Sequence, residues 1–135
     1  MYSIPVQIRF SDIDGVGHVN NAVYNDYFDV GRLNYFKEAF GRTLQWGAGK
    51  TLVLVHTGAD YLQPTFLYDT VEVRTSVTEV GNRSVKMKQY IVAADGSVRV
   101  EGCSVLSTYD MDTGKSFPMP AAWREKITAF EKRMR

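Results

Sequence analysis

The chain has 135 residues, 44% of them apolar, which is the size of one ordinary domain with a buried core. Sixteen lysines and arginines nearly balance fifteen aspartates and glutamates, so the charge gives no reason to expect a nucleic-acid or membrane partner. The single cysteine excludes an internal disulfide, and we find no signal peptide, membrane-length apolar run or paired metal-ligand spacing; we therefore expect one domain over residues 1–135, cytoplasmic, with no metal or other cofactor.

The first two predicted elements are a strand and a long helix. Apolar and polar side chains alternate over Tyr2–Phe10, the two-residue period of a half-buried strand. Residues 11–19 are rich in Asp and Gly and predict a turn, after which Asn20 or Asn21 caps a helix. Over Ala22–Phe40, apolar residues recur at steps of three and four. A helix of that length would extend roughly 30 Å, enough to cross a whole sheet.

The rest of the chain predicts strands and a short C-terminal helix. Thr51–His56 is a short β-branched and apolar run that indicates a strand. The turn pairs Gly81-Asn82 and Asp95-Gly96 separate three longer segments, which predicts an antiparallel meander. Those three segments are Val71–Val80, Ser84–Ala93 and Val98–Tyr109. After two prolines, apolar residues at helical spacing predict the final helix; they are Trp123, Ile127, Phe130 and Met134.

One long helix followed by consecutive antiparallel strands predicts an α+β domain in which the sheet wraps around the helix. This is a hotdog-shaped arrangement. A sheet of this size leaves strand edges unpaired, and pairing of an edge with a second copy is the common remedy. We therefore expect a homodimer or a homotetramer.

Two fragments imitate a phosphate-binding loop, Gly47–Thr51 and Thr113–Ser116. That loop needs a glycine five positions before its Gly-Lys pair, and these positions hold Leu44 and Tyr109. Neither fragment predicts nucleotide binding.

Polar residues are concentrated between the first strand and the long helix. By composition alone, Asp12 and Asp14 are turn formers and an asparagine caps the helix. The stretch nevertheless resembles the 4-hydroxybenzoyl-CoA thioesterase-like branch of the hotdog superfamily. That branch shows Asp-x-Asp, a glycine-containing turn, and His-Val-Asn-Asn-Ala-x-Tyr running into the central helix, and all of these elements stand between Asp12 and Tyr24. The resemblance continues in Tyr27-Phe28-Asp29 with Arg32, in Tyr61-Leu62-Gln63-Pro64 and in Gly81-Asn82-Arg83-Ser84.

The resemblance implies an acyl-CoA thioesterase, an enzyme that hydrolyses a thioester to free acid and coenzyme A. The carboxylate matching Asp14 either attacks the thioester carbonyl or activates water beside it. The backbone N–H of Asn21 polarises the carbonyl, a role that suits the partial positive charge at a helix N-terminus. His18 either contacts substrate or water, or braces the loop by hydrogen bonds.

The resemblance also implies substrate-binding residues. Arg83 and Ser84 follow a tight turn that faces the phosphates of coenzyme A in relatives, a role suited to a guanidinium. Four rings either line an acyl pocket or belong to the core: Tyr24, Tyr27, Phe28 and Tyr61. Asp29 and Arg32, three residues apart, predict a surface or interface ion pair, and Cys103 predicts inert packing within a strand.

Two other classes of function fit parts of the sequence. A hotdog dehydratase or hydratase would use Asp14 and His18 as an acid–base pair, but the sequence around the helix entry differs from those families. A non-catalytic acyl-CoA-binding protein would not need Asp14. The motif does not specify the acyl group.

Overall fold

The computed structural model describes residues 1–41 and 49–135, so Gly47 of the first loop fragment lies outside the described residues. Within those two ranges, five strands and two helices follow one another. They are β1 (Tyr2–Val6), α1 (Tyr24–Phe40), β2 (Lys50–Tyr61), β3 (Val71–Val80), β4 (Ser84–Ala93), β5 (Val98–Asp110) and α2 (Ala121–Arg133). Two short 3₁₀ turns, Phe10–Asp12 and Asn21–Val23, precede α1.

The strands form one antiparallel sheet in the order β1-β3-β4-β5-β2. The predicted meander β3–β4–β5 is confirmed and occupies the centre. β2 pairs with β5 and β1 pairs with β3, so both edges are made by segments from earlier in the chain. These long-range pairings have no signal in the local pattern.

Two strand lengths differ from the sequence prediction. β2 continues to Tyr61 because it pairs with β5 along its whole length, with an irregularity in register between Leu54 and His56. β1 stops at Val6, where its pairing with β3 ends. Phe10 continues the alternating pattern, but its side chain is 83% exposed because the backbone turns there.

The core consists of two apolar clusters arranged along α1. One contains Tyr24, Tyr27, Phe28, Val19 and their neighbours on β3, β4 and β5; the other contains Tyr35, Phe36, Phe40 and residues of α2. A Cβ on Gly102 would lie 2.8 Å from the Phe28 ring, so a glycine is needed where the helix approaches β5. α2 is held by Glu131, which accepts bonds from the Tyr35 hydroxyl and the Val77 amide, each 2.6 Å long.

The predicted α+β hotdog arrangement is confirmed: the sheet surrounds one long helix, and a short C-terminal helix closes one end. Within residues 1–41 and 49–135, no helix has the length and apolar character needed to cross a membrane.

Candidate active site

The loop before α1 is closed on itself and fastened to a neighbouring loop. Ile13 and Val19 form an antiparallel bridge, and the Val19 amide donates to the Thr65 carbonyl at 2.8 Å. Gly17, at the tip, has a φ of 84°, a left-handed conformation that side chains with a Cβ rarely adopt. The loop is therefore held in one shape by its own backbone.

Asp14 lies within this closed loop. Its amide donates to the His18 carbonyl at 2.8 Å, and its Oδ1 accepts from the amides of Val16 (3.0 Å) and His18 (3.3 Å). Among the described residues, no donor binds Oδ2. One carboxylate oxygen fixes the loop and the other is available for chemistry.

The entry to α1 leaves one backbone donor unused. Asn20 is the capping residue, because its Oδ1 accepts from the Ala22 amide at 2.9 Å and its carbonyl accepts from the Val23 amide. The amide of Asn21, which lies between Asn20 and Ala22, has no acceptor among the described residues. An unpaired N–H at a helix N-terminus suits a carbonyl oxygen that gains negative charge.

A cavity of about 240 Å³ lies at this end of the helix. It is lined by His18, Val19, Asn21, Tyr24, Tyr61, Leu62, Gln63 and Pro64. Asp14 does not line this cavity, but two hydrogen bonds with the backbone of His18, one from the Asp14 amide and one to Asp14 Oδ1, join it to the cavity wall. The structure thus brings together four of the predicted site residues, His18, Asn21, Tyr24 and Tyr61, with Asp14 bonded to His18.

His18 is half-buried and its ring packs edge-on against Phe66, with ring centres 5.1 Å apart. His18 and Phe66 also form a backbone bridge. These contacts place His18 where the loop before α1 meets the loop between β2 and β3.

Asp12 has a different role from the turn former predicted from the sequence. It is 1% exposed and its carboxylate accepts four bonds: three from Arg9 and one, 2.6 Å long, from the Tyr27 hydroxyl. Burial acts to raise the pKa of Asp12, but the bonds from Tyr27 and Arg9 outweigh it and the pKa is lowered. Asp12 is a buried brace between the loop and α1.

The wall of the cavity formed by Leu62, Gln63 and Pro64 is stabilised by an ion pair that the sequence did not indicate. Arg99 forms an ion pair with Asp69 (2.8 Å) and donates to the Pro64 carbonyl (2.7 Å). The Arg99 carbonyl accepts from the amides of Leu62 and Gln63. The two charged residues are thirty positions apart in the sequence, so no local motif could have identified them.

The four predicted pocket rings divide into two groups. Tyr24 and Tyr61 line the cavity, with ring centres 5.8 Å apart. Burial raises the pKa of the Tyr24 hydroxyl, and the neighbouring Thr65 acts in the opposite direction. Tyr27 and Phe28 do not line this cavity: Tyr27 braces Asp12, and Phe28 packs against Gly102. Both of these rings lie in the buried apolar core.

Arg83 and Ser84 lie at the other end of the sheet within the same chain. Ser84 begins β4 and Ala93 ends it, and Ala93 shares a cluster with Val19 and Tyr24. Ten residues of strand separate the two ends by roughly 30 Å. Arg83 is exposed and donates to Ser116 Oγ at 3.1 Å.

Two further predictions, for the Asp29–Arg32 pair and for Cys103, can be compared with the structure. Arg32 forms the predicted ion pair with Asp29, but Arg32 is buried, with 6% of its surface exposed, and it donates a second bond to Gln89 Oε1 at 3.0 Å. Cys103 is exposed on the outer face of β5, which corrects its interpretation as a packed side chain. In the described part of the chain, no group of three or more His, Cys, Asp or Glu is placed to hold a metal ion.

The fold and the site together define a small hotdog protein with a cavity at the N-terminal end of its central helix. Residues 8–127 match the model of the thioesterase-like superfamily, and the chain belongs to that superfamily.

Three known proteins with similar sequences or structures are described as thioesterases. A thioesterase from Thermus thermophilus, solved with coenzyme A and Zn, is 34% identical with a TM-score of 0.85, over 97% of this chain and 94% of that one. A predicted thioesterase from Bacillus stearothermophilus is 29% identical with a TM-score of 0.86, over 96% and 95%. The long-chain acyl-CoA thioesterase FadM of Escherichia coli (strain K12) is 22% identical over 125 residues, 90% of this chain and 93% of FadM.

Proposed function

We propose that this protein is an acyl-CoA thioesterase in which Asp14 is the catalytic carboxylate. The observation that carries the proposal is the unpaired Asn21 amide in the cavity wall, next to the loop that holds Asp14 with one oxygen free. Membership of the superfamily and the coenzyme A bound to the Thermus thioesterase support the substrate class. The closer affiliation, with the 4-hydroxybenzoyl-CoA thioesterase-like branch, is part of the same proposal.

In this mechanism the thioester carbonyl oxygen accepts a hydrogen bond from the Asn21 N–H. As the carbonyl is attacked, negative charge grows on its oxygen, and such a donor is typically worth about 3 kcal/mol. Asp14 Oδ2 either takes a proton from the attacking water or attacks the carbonyl itself. In the first route the carbon–sulfur bond breaks, the proton held by Asp14 passes to the sulfur, and coenzyme A and the free acid leave. In the second route the carbon–sulfur bond breaks to leave an anhydride between the acyl group and Asp14, the thiolate of coenzyme A takes a proton from solvent, and water then hydrolyses the anhydride to the free acid and the Asp14 carboxylate. His18 lines the cavity and shapes the loop that presents Asp14.

The binding role proposed for Arg83 and Ser84 requires a second subunit. The arm of coenzyme A between sulfur and the first phosphorus has about 13 bonds and extends roughly 15 Å at the advance per bond of an extended chain. Arg83 of the same chain lies about twice as far from the cavity, at the far end of β4. The partner's Arg83 is the one that would reach the phosphates.

The sheet edges favour such a partner. β2 is an edge strand of twelve residues with two exposed aliphatic side chains, Leu54 (43%) and Val55 (59%). β1, the other edge, has five residues including Pro5. Long apolar edges are pairing sites, and a two-fold axis at β2 would place the Arg83 end of one sheet beside the Tyr61 end of the other. The proposed assembly is a homodimer, alone or within a homotetramer, and a cytoplasmic location stays a prediction.

The test is to mix purified protein with a panel of acyl-CoAs and a thiol-reactive dye. We expect free thiol to appear with turnover. Binding without release of thiol would indicate a non-catalytic acyl-CoA-binding protein. Loss or gain of a carbon–carbon double bond without release of thiol would indicate a hydratase or dehydratase. Either result would refute the proposal.

A further inference from the structure

One residue outside the candidate active-site cavity, Arg99, is bonded to all three consecutive residues that form one of the cavity's walls. The Arg99 carbonyl accepts from the amides of Leu62 (2.9 Å) and Gln63 (3.1 Å). The Arg99 guanidinium donates from Nη1 to the Pro64 carbonyl at 2.7 Å. Arg99 itself does not line the cavity. The shape of this wall therefore depends on a residue that lies behind it.

Asp69 fixes the guanidinium of Arg99 and the next turn of the chain together. Its Oδ2 accepts from Arg99 Nη1 and from the Phe66 amide, each at 2.8 Å. Both charged side chains are largely shielded from water, with 12% of Arg99 and 28% of Asp69 exposed. Salt screens such a pair weakly, and removal of one partner leaves the other charge without its counter-ion. The Arg99–Asp69 pair therefore holds the chain on both sides of Thr65.

The groups proposed to react with the thioester are held by other contacts. Asp14 Oδ1 accepts from the amides of Val16 and His18, and the Asn20 side chain caps the helix entry beside Asn21. These bonds lie within residues 14–22 and involve neither member of the Arg99–Asp69 pair. Loss of the pair should therefore change the wall and leave the reacting groups in place.

We propose that Arg99 and Asp69 are positioning residues for acyl-CoA: they hold residues 62–64 in the shape that binds it, and neither of them touches it. This inference rests on the proposed function, because it takes the cavity to be the acyl-CoA site. Without the guanidinium, the ligand would have to order the wall as it binds. Fixing the backbone of one residue costs the equivalent of roughly a 5- to 30-fold change in an equilibrium constant. Binding should therefore weaken about tenfold, while kcat, which depends on Asp14 and Asn21, changes little.

Four variants test the proposal against the native protein. Arg99→Met removes the guanidinium and keeps an aliphatic side chain, whereas Arg99→Lys keeps a cation without the planar fork of donors. Asp69→Asn removes the ion pair, and its amide oxygen can still accept from the Phe66 amide. Arg74→Met is the matched control, because Arg74 forms an exposed ion pair with Glu72 (2.7 Å) and does not line the cavity.

The experiment measures kcat and KM for the best substrate of the acyl-CoA panel, and the Kd of the tightest-binding compound from a series of S-(2-oxoalkyl)-CoA analogues. In these analogues a methylene separates the sulfur from the carbonyl, so there is no thioester to hydrolyse. We expect Arg99→Met to raise KM and Kd about tenfold with kcat within threefold of the native value. Arg99→Lys and Asp69→Asn should raise KM and Kd about threefold, and Arg74→Met should leave both within twofold.

A purely structural role for the pair would give a different pattern. Loss of folded protein lowers the concentration of active sites, and with it the apparent kcat and the number of binding sites, but leaves KM and Kd unchanged. That pattern in Arg99→Met would overturn the inference, and so would an equal rise of KM and Kd in Arg74→Met. If Arg99→Met does not fold, Arg99→Lys and Asp69→Asn decide the question by the same criterion.

The two readouts also separate this inference from the function on which it rests. If the native protein binds an analogue but releases thiol from no acyl-CoA, the thioesterase proposal fails, and the Kd values of the variants still support or refute the role of the pair. If the native protein binds no analogue and hydrolyses no acyl-CoA, the cavity is not an acyl-CoA site and the inference is wrong.

Discussion

Replacing Asp14 by Asn changes one oxygen of the loop carboxylate into an NH₂ group. The amide oxygen can still accept the two backbone bonds now made by Asp14 Oδ1, from Val16 and His18. The NH₂ group would take the place of Oδ2, which binds no donor among the described residues. The loop should therefore keep its shape, and we expect substrate binding and the melting temperature to change little.

The chemistry should be lost, because an amide can neither accept a proton from water nor attack a carbonyl efficiently. General base catalysis contributes about 10²–10⁴-fold, which corresponds to about 2.7–5.4 kcal/mol in the activation free energy. We expect kcat to fall by at least two orders of magnitude, with KM within a few-fold of the native value. The assay is release of free thiol from an acyl-CoA, with circular dichroism to verify folding.

Asp95→Asn is the matched control. Asp95 also accepts a backbone bond at Oδ1 from the residue two positions later, Ser97 (2.9 Å), in a turn that does not line the cavity. The same atoms are exchanged in the same local geometry, so activity should be retained. A folded Asp14→Asn protein with near-native kcat, or an equal loss in Asp95→Asn, would show that Asp14 is not the catalytic carboxylate.

Three other predictions follow from the same contacts. Arg83→Ala should raise KM for acyl-CoA more than it lowers kcat, with less effect at high salt and almost none on a pantetheine thioester; equal losses on both substrates would remove Arg83 from the site. Asp12→Asn leaves one acceptor oxygen for the donors of Arg9 and Tyr27, so it should cost about 3 kcal/mol, or about 10 °C in melting temperature, while the folded fraction stays active. Because the pKa of Asp12 is lowered in the folded protein, its ionised carboxylate stabilises the fold fully above pH 3.8, its ordinary pKa, and this stabilisation is lost as the pH falls through the lowered pKa. The melting temperature of Asp12→Asn, measured against pH, should lack this acid loss. If the native protein and Asp12→Asn lose melting temperature in parallel, the assignment is wrong. Sedimentation should give a species of at least twice 15.3 kDa, and a fully active monomer would contradict the shared site.

The local sequence determined most of the secondary structure. β3 and β4 begin and end where the alternation and the Gly81-Asn82 turn predict, because cross-strand neighbours in a hairpin are close in the sequence. α1 also ends at Phe40 as predicted, before Gly41 with its φ of 62°. These features depend on residues only a few positions apart, and local patterns record such interactions.

The motif before α1 was likewise visible in the sequence, and its position at the helix entry follows from chain order. Composition could not distinguish the two acids, and only the family resemblance singled out Asp14. Asp12 and Asp14 both look like turn formers, and only packing decides that Asp12 is buried against Arg9 and Tyr27 while Asp14 keeps an oxygen free. Burial depends on what the fold places above a residue, and composition does not record it.

The tertiary structure alone decided which distant segments meet. The Arg99–Asp69 pair that stabilises the cavity wall, the pairing of β2 with β5, and the separation of Arg83 from Asn21 all join or divide residues far apart in the chain. These long-range arrangements form when the sheet closes around α1 and buries both apolar clusters. The free energy that stabilises them comes mainly from that burial, and not from the local conformational preference of each segment. The sequence therefore determined which elements form and where the motif proposed as the active site lies. The closed sheet decided which side chains surround that motif, and it placed Arg83 at the opposite end of the sheet.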